Sequence, residues 1–287
     1  MLKDITLKQV AIAIAITVAL TITSCGGNSE SPEAVALYDS AKAYLDAHQP
    51  QQALSIIDSL AASFPKEITV QRRAMHLRTL ADSAMIDIEM AQLDSTLIAD
   101  SLTVVKLKPL FSFVKTADMV EGYYIISSLK GNPLYERTGI EPRIDETGNI
   151  FLASCLFGVP CKHTALSASI AGIGEVATGN VPYDEALNYR YQAERGSCEM
   201  VTFEFDKCSE MCNFIAQNRD SSVKLTFKGN RNHSITLSPA LVKAIADSYD
   251  FSMAMRSGKN ATAKKIFMAK KRELNRQQMA KTAKAIE

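Results

Sequence analysis

Apolar residues first show a clear pattern between residues 34 and 65. They recur every three or four positions, in two groups: Leu37, Ala41, Tyr44 and Leu45, then Ala53, Leu54, Ile57 and Leu60. This spacing is typical of helices that bury one face. Pro50 separates the two groups, and proline suits the first turn of a helix but not its interior. The pattern therefore predicts a helical hairpin over residues 34–66.

A much longer helix is predicted over residues 67–109. From Ile68 to Val105 the chain has neither proline nor glycine. One set of positions alternates in steps of four and three, which is the heptad pattern of paired helices: Leu77, Ala81, Ala84, Ile88, Ala91, Ser95, Ile98, Leu102 and Val105. A helix of this length spans about 60 Å and is not stable alone. We therefore expect this seam to meet a partner, either in a coiled coil or in a helical bundle.

Between residues 110 and 238 the pattern changes to short segments rich in β-branched and aromatic residues. Gly, Pro, Asn and Asp separate six such segments, which predict strands: residues 121–129, 148–158, 163–170, 198–205, 223–229 and 233–238. Residues 207–220 have helical spacing and predict one short helix laid over the sheet. We expect a mostly antiparallel, β-rich domain that closes into a sandwich or a half-barrel.

A final helical segment is predicted over residues 239–287, with Ser238 as its N-cap and Pro239 in its first turn. From Lys259 onward it holds nine Lys or Arg and two Glu, whereas residues 81–105 carry five acidic residues and no basic one. Its thin apolar stripe consists of Ile266, Ala269, Leu274 and Met279. Opposite charges beside an apolar seam select a helix partner. The simplest expectation is that this basic helix packs on the long acidic helix; the alternatives are binding to an anionic lipid or polymer, or a solvated tail.

The N-terminus carries a secretory pattern. Lys3 and Lys8 precede an uncharged apolar run of 13 residues from Val10 to Ile22, and small residues follow it. A membrane-spanning helix needs about 20 apolar residues, so the run is short for that role. The order of the zones favours a signal peptide over residues 1–24. A buried helix or an uncleaved anchor is the alternative.

The end of this run, Ile22-Thr23-Ser24-Cys25, resembles the lipobox of bacterial lipoproteins, in which an aliphatic residue and two small residues precede a cysteine. The resemblance implies that the Cys25 thiol receives a diacylglycerol and that cleavage makes Cys25 the first residue. A thiol is the best side-chain nucleophile for such an alkylation. Residues 25–33 contain Gly, Ser, Asn and Pro without a large apolar residue, so we predict a tether there.

The helical hairpin resembles a single tetratricopeptide repeat. Residues of the expected size fall on the fixed positions of that 34-residue unit: Leu37, Ala41, Tyr44, Ala53, Ile57, Leu60 and Pro65. Arrays of this repeat need about three copies to build a continuous core, and one copy is recognisable here. We therefore interpret the hairpin as a structural brace rather than as a peptide-binding groove.

The amino-acid composition rules out few classes of protein. The chain has 287 residues, 47% of them apolar, and a formal net charge of +1. These values fit a packed core and imply no whole-molecule attraction to nucleic acid. Besides Cys25 the chain has five cysteines: Cys155, Cys161, Cys198, Cys208 and Cys212. Their spacing does not match a zinc site, so either one disulfide or buried free thiols are expected.

No motif in the sequence predicts a reaction. Phosphate-binding loops, metalloprotease helices and serine nucleophile elbows are absent from it. Cys161 lies two residues before His163, which opens a predicted strand, and residues so spaced on a strand share a face. No third group that would orient them is apparent. Asp145, Glu146 and Asn149 offer oxygen ligands for calcium, although a polar hairpin turn explains them better. We therefore expect no catalytic residue, no metal and no cofactor.

These patterns predict an α+β protein. A helical hairpin and a long coiled-coil-like helix precede a mostly antiparallel β domain, and a C-terminal helix packs back on the long helix. The expected function is a non-enzymatic scaffold or adaptor in a bacterial cell envelope. Lipidated Cys25 would anchor it to a membrane, with the outer membrane favoured, and the rest of the chain would lie in the periplasm or at the cell surface.

The expected partners are that membrane and an envelope protein or polymer. The alternative function is binding of a saccharide or peptide by the β domain. That function requires several tyrosines to line one exposed cleft: Tyr123, Tyr124, Tyr135, Tyr183, Tyr189 and Tyr191.

Overall fold

The computed structural model describes residues 30–117, 119–131 and 134–286. Along these residues three helices lead into a region of ten strands, and a last long helix returns to the first part of the chain. The predicted α+β fold, with the C-terminal helix packed on the long helix, is confirmed. Cys25 and the predicted signal peptide lie outside the described residues. Within the described ranges, no helix is both long enough and apolar enough to span a bilayer.

The predicted helical hairpin consists of α1 (Pro32–Asp46) and α2 (Pro50–Ser63). The Ser31 hydroxyl caps the first turn of α1, and each helix starts with a proline, as expected from the fixed φ of that residue. Ala41 and Ile57 lie in the small core that the hairpin shares with the next helix. The hairpin therefore does not bury its apolar faces by itself.

Two long helices form a rod. α3 (Ile68–Leu107) and α6 (Pro239–Lys284) run antiparallel. Thr282, near the end of α6, lies 3.0 Å from the ring of His76, near the start of α3. Three ion pairs connect the acidic and basic segments: Asp87–Arg272, Glu89–Lys264 and Asp94–Lys265. The expected pairing of these two segments is therefore confirmed.

The face of α3 that meets α6 differs from the predicted seam. The contact is formed by Ile86, Met90, Leu93 and Leu97 of α3 with Ala261 and Met268 of α6. These residues also follow steps of four and three, but each residue turns an α-helix by about 100°. Ile86 and Ile88 therefore point to nearly opposite sides. The predicted seam was wrong because α3 carries two apolar heptad patterns, and the sequence pattern does not tell which one faces α6.

The stripe predicted on the C-terminal helix is also wrong. Ile266 and Leu274 are exposed to solvent, with relative accessibilities of 58% and 66%. Ala261 and Met268 make the contact instead. The small alanine at this point lets the two helix backbones approach each other closely.

The predicted seam of α3 has two environments. At its start, the hairpin packs against Leu77, next to Val70 and Ala74. Beyond the hairpin the same face is largely open, and the relative accessibilities of its four large residues run from 44% to 68%. We call this open face the apolar stripe; its members are Ala84, Ile88, Ala91, Ser95, Ile98, Leu102 and Val105.

Two antiparallel sheets form the β-rich domain. The first has six strands, in the order β1 (Phe111–Val114), β2 (Tyr123–Ile126), β3 (Gly139–Asp145), β4 (Ile150–Phe157), β8 (Gly196–Phe203) and β7 (Asn188–Ala193). The second has four, in the order β10 (His233–Thr236), β9 (Lys224–Lys228), β5 (Ala165–Ile170) and β6 (Gly174–Ala177). A 3₁₀ turn (Lys108–Leu110) precedes β1, and the short helix α4 (Ser127–Lys130) follows β2.

Each of the six predicted strand segments contains a strand, but β1, β3, β6 and β7 were not predicted. β3 was missed because Pro142 lies inside it, and proline argues against a central strand. Pro142 nevertheless lies opposite Leu152 in the ladder between β3 and β4. β7 was missed because its residues are mostly polar or aromatic and no apolar run marks it.

One core lies between the two sheets. Leu152 and Phe203 on the inner face of the six-stranded sheet belong to the same buried cluster as Leu225 and Phe227 of the second sheet. The predicted short helix is α5 (Phe205–Gln217), which contributes Met211 and Ile215 among others. The opposite face of the six-stranded sheet, which we call the outer face, takes no part in this core.

α6 begins where the sequence predicts. The Ser238 hydroxyl accepts a hydrogen bond of 3.3 Å from the Leu241 amide, and Pro239 is the first helical residue. The first turns of α6 contribute Ile245 and Phe251 to the core of the β-rich domain. The remaining turns of α6 run along α3. The helix α6 therefore belongs both to the core of the β-rich domain and to the rod.

Candidate functional site

Three of the six tyrosines named above lie together on the outer face. β7 is the last strand of its sheet, and alternation along it points Tyr189 and Tyr191 to the outer face. They lie opposite Met200 and Cys198 of β8. Tyr135, in the segment between α4 and β3, stacks on Tyr191. We call Tyr135, Tyr189 and Tyr191 the tyrosine surface.

The three rings of the tyrosine surface are nearly parallel. The centroids of Tyr135 and Tyr191 are 5.6 Å apart with an angle of 15° between the planes, and those of Tyr191 and Tyr189 are 6.2 Å apart at 23°. Tyr135 is 61% and Tyr189 37% exposed. Offset stacking of this kind is favourable and restrains the rings. The surface therefore presents a fixed row of aromatic rings, and burial raises the pKa of Tyr189 and of Tyr191, so both hydroxyls stay neutral.

The other three tyrosines lie elsewhere. Tyr123 shares the outer face but sits on β2, where the Arg143 guanidinium covers its ring at 4.6 Å. Tyr124 packs against the core between the sheets. Tyr183 lies beneath Arg190, 4.5 Å from its guanidinium, and Arg190 points away from the outer face. The six residues therefore do not line one cleft.

A small buried cluster supports the tyrosine surface. It contains Leu134, Ala153, Cys155 and Cys198. The Sγ atoms of Cys155 and Cys198 are 3.0 Å apart. Burial, followed by the hydrogen bond with Cys198, raises the pKa of Cys155 to about 12, so its thiol stays protonated. All five cysteines of the described residues are buried free thiols, which is one of the two expected states.

A pocket of about 460 Å³ opens at one end of the outer face, next to Phe151 and Thr202. Asp145, Glu204 and Asp206 line it with carboxylates. Asp145 is already engaged in the turn after β3: its Oδ1 accepts hydrogen bonds of 2.8 Å from the amides of Thr147 and Asn149. This geometry is that of the polar hairpin turn, which the sequence favoured over a calcium site.

A second polar cluster lies inside the β-rich domain. Ser154 Oγ is 2.9 Å from His163 Nε2, and His163 Nδ1 is 2.9 Å from Glu199 Oε2. A hydroxyl, an imidazole and a carboxylate in this order also form the triad of serine hydrolases. Here all three residues are at most 3% exposed, and Ser154 also bonds to the Val201 carbonyl at 3.1 Å. A substrate has no approach to Ser154 in this arrangement, so the cluster is a structural link.

Glu199, on the six-stranded sheet, binds the loop that precedes β5 through hydrogen bonds. Its carboxylate accepts hydrogen bonds from the amides of Cys161 at 2.8 Å, Lys162 at 2.6 Å and His163 at 2.9 Å. Burial raises the pKa of Glu199, but the hydrogen bonds from the His163 ring and from these amides outweigh it and lower the pKa to about 2. The carboxylate is therefore ionised at physiological pH.

The pair of Cys161 and His163 is not assembled as a nucleophile and a base. The Cys161 thiol donates to the Arg231 carbonyl instead, and Ser154 and Glu199 hold the His163 ring. Sequence reasoning missed Glu199 because 36 positions separate it from His163. The available signal was a charged residue inside a predicted strand, residues 198–205.

The first described residues are fixed to one end of the rod. Glu30 forms an ion pair of 2.5 Å with Arg73, and the Ser31 amide donates to Glu67 at 3.3 Å. Both contacts lie at the start of α3, whereas the β-rich domain begins after its end. Cys25, the predicted lipidation residue, precedes Glu30 by five positions and lies outside the described residues.

No family model, curated protein or solved structure matches this chain. The tyrosine surface and the N-terminal end of the rod are therefore interpreted from their own geometry and chemistry.

Proposed function

We propose that this protein is a lipid-anchored, non-enzymatic scaffold or adaptor of a bacterial cell envelope. Cys25 attaches it to a membrane, with the outer membrane favoured. The tyrosine surface of the β-rich domain contacts an envelope protein or polymer in the periplasm or at the cell surface.

The observation that carries this proposal is the placement of the two ends of α3. The chain enters at Glu30 and Ser31, beside the first turn of α3, and the β-rich domain begins at Phe111, after the last turn. A helix of 40 residues spans about 60 Å. Five extended residues add at most about 17 Å between Cys25 and Glu30. An anchored Cys25 therefore belongs to one end of the rod, and the tyrosine surface to the domain at the other.

The chemistry of the tyrosine surface supports a contact role. Tyrosine is enriched at protein interfaces because it contributes a large rigid area at a small cost in side-chain entropy. Tyr189 and Tyr191 are fixed on a strand, and Tyr135 is held by stacking on Tyr191. The shape of this surface is therefore set before a partner binds, so binding costs little conformational entropy.

A photo-crosslinking experiment in cells tests this function. A photoreactive phenylalanine analogue replaces Tyr189, and the matched control carries it at Tyr183, which is also exposed but lies on the other side of β7. We expect a discrete adduct with an envelope component from position 189 alone, and a weaker adduct when Cys25→Ala releases the chain from the membrane. Absence of an adduct at position 189, or the same adduct from position 183, would contradict the proposal.

The second candidate function is binding of a saccharide or peptide to the same surface. It is favoured by the near-parallel stack of Tyr135, Tyr191 and Tyr189, since flat aromatic rings beside an open strand edge suit a sugar ring or an added peptide strand. Titration of the purified protein with soluble envelope oligosaccharides separates the two functions. Saturable shifts in tyrosine NMR signals that Tyr189→Ala abolishes would favour this candidate over a macromolecular partner.

A further inference from the structure

The apolar stripe of α3 carries no charge that opposes pairing with an identical surface. None of its seven residues is charged. The acidic residues on other faces of this part of α3 include Asp87, Glu89 and Asp94, which form ion pairs with α6. Two copies of the chain can therefore meet on the stripe without bringing like charges together.

The single polar member of the stripe does not oppose burial either. The Ser95 hydroxyl donates a hydrogen bond of 3.0 Å to the carbonyl of Ala91 within the same helix. Covering Ser95 therefore leaves no donor without a partner. On either side, Ile88 is 44% and Ile98 63% exposed. A row of exposed large apolar residues is typical of an interaction surface.

The sizes of the side chains along the stripe are self-complementary in an antiparallel pair. When the two-fold axis lies between Ser95 and Ile98, the heptad positions pair in three layers, each of which occurs twice: Ile88 with Val105, Ala91 with Leu102, and Ser95 with Ile98. The small members Ala91 and Ser95 then each face a large residue. A parallel pair would instead place Ala91 against Ala91 and Leu102 against Leu102, which packs unevenly.

The helical hairpin limits how far the open face of α3 extends. It covers this same face of α3 at Leu77. Two parallel copies would therefore trap two hairpins between their α3 helices. In the antiparallel pair, the second α3 ends opposite Ile86, and the β-rich domain that follows it lies beside the hairpin of the first copy.

We propose that two copies of this chain pair antiparallel through the apolar stripes of their α3 helices. The layers from Ile88 to Val105 span about 26 Å along the helix. Pairing is favoured where the chain is concentrated. The inference uses α3 and the hairpin alone and does not rest on the lipid anchor or on the tyrosine surface.

Cysteine crosslinking of the full chain in cells tests both the pairing and its direction. One tagged copy carries Ile88→Cys, and a differently tagged copy carries Val105→Cys. Copper phenanthroline with oxygen serves as the oxidant, and Thr96→Cys, exposed on another face of α3, is the matched control. We expect a disulfide-linked dimer only when both variants are expressed together, because each new cysteine lies about 26 Å from its own counterpart in the antiparallel pair.

Other outcomes overturn the proposal. Linked dimers from each variant alone, and none from the mixture, would show a parallel pair. No linked dimer at all, or adducts whose mass differs from twice the chain, would show that the stripe is bare or covered by another protein. A second substitution, Ile98→Asp, should reduce the linked dimer by about tenfold or more because it buries an unpaired charge, whereas Thr96→Glu should leave the yield unchanged.

Discussion

At the scale of single residues, polar groups inside the β-rich domain determine the path of its loops. The Glu199 carboxylate accepts hydrogen bonds from the amides of three consecutive residues, 161–163, and from the ring of His163. Gly229 approaches this loop so closely that a Cβ atom would overlap the Cys161 carbonyl. Periodicity reports which face of a strand is buried, not which distant polar group meets it. The partners of Glu199 were therefore not predictable from the sequence pattern, although the strand that carries Glu199 was predicted.

Replacing Glu199 by glutamine tests this role. The change removes the buried charge that accepts four hydrogen bonds, and bonds to a charged acceptor contribute about 1.5–3 kcal/mol each when lost from a buried site. Because they share one acceptor, their losses do not add. We expect Glu199→Gln to lower the free energy of unfolding by about 2–4 kcal/mol, measured by urea denaturation at neutral pH. Glu194→Gln, an exposed neighbour, is the control and should change it by less than about 0.5 kcal/mol.

The pH dependence of stability gives an independent check on Glu199. Its pKa falls from an ordinary value near 4.5 to about 2 in the folded protein. The ionised form is therefore favoured by folding, so its contribution is complete above pH 4.5 and is lost as the pH falls towards 2. The shift corresponds to about 3 kcal/mol. Glu199→Gln should lack this part of the acid dependence; parallel acid profiles of the two proteins would contradict the assignment.

At the scale of elements, the periodicity of the sequence was sufficient to locate the five longer helices, but it did not locate α4 or orient α3. The hairpin, the 40-residue helix, the cap at Ser238 and the short helix α5 follow from spacing, proline position and capping residues. The pairing of α3 with α6 followed from their opposite charges. The choice of face did not, because Ile86 and Ile88 each belong to a heptad pattern and both patterns are apolar. Only the contacts with α6 and with the hairpin distinguish them.

Ile86 and Ile88 provide a matched pair of substitutions for the face of α3. Ile86 is 1% exposed and contacts the α6 side, whereas Ile88 lies in the apolar stripe. We expect Ile86→Ala to lower the free energy of unfolding by about 2–4 kcal/mol because it leaves a cavity. Ile88→Ala should cost less than about 1 kcal/mol at concentrations where the protein is monomeric. Equal costs, measured by chemical denaturation, would show that the assignment of faces is wrong.

At the scale of the whole molecule, the proposed anchor and the tyrosine surface belong to opposite ends of the rod. Glu30 and Ser31 lie at one end of α3, and the tyrosine surface belongs to the domain at the other end. Pairing through the apolar stripe extends this arrangement. In an antiparallel dimer the starts of the two α3 helices are about 85 Å apart along the rod. Under the proposed anchor, two chains that pair in this way on one membrane would lie along it.

The central claim, that Cys25 anchors this scaffold, is tested most directly by the intact mass of the protein extracted from the membrane fraction of its own cells. We expect the mass of residues 25–287 plus a diacylglycerol, with or without a further acyl chain. The Cys25→Ala chain should lack this lipid and leave the membrane fraction. A chain that retains residues 1–24 and carries no lipid would contradict the account, because the rod would then have no membrane attachment of the proposed kind.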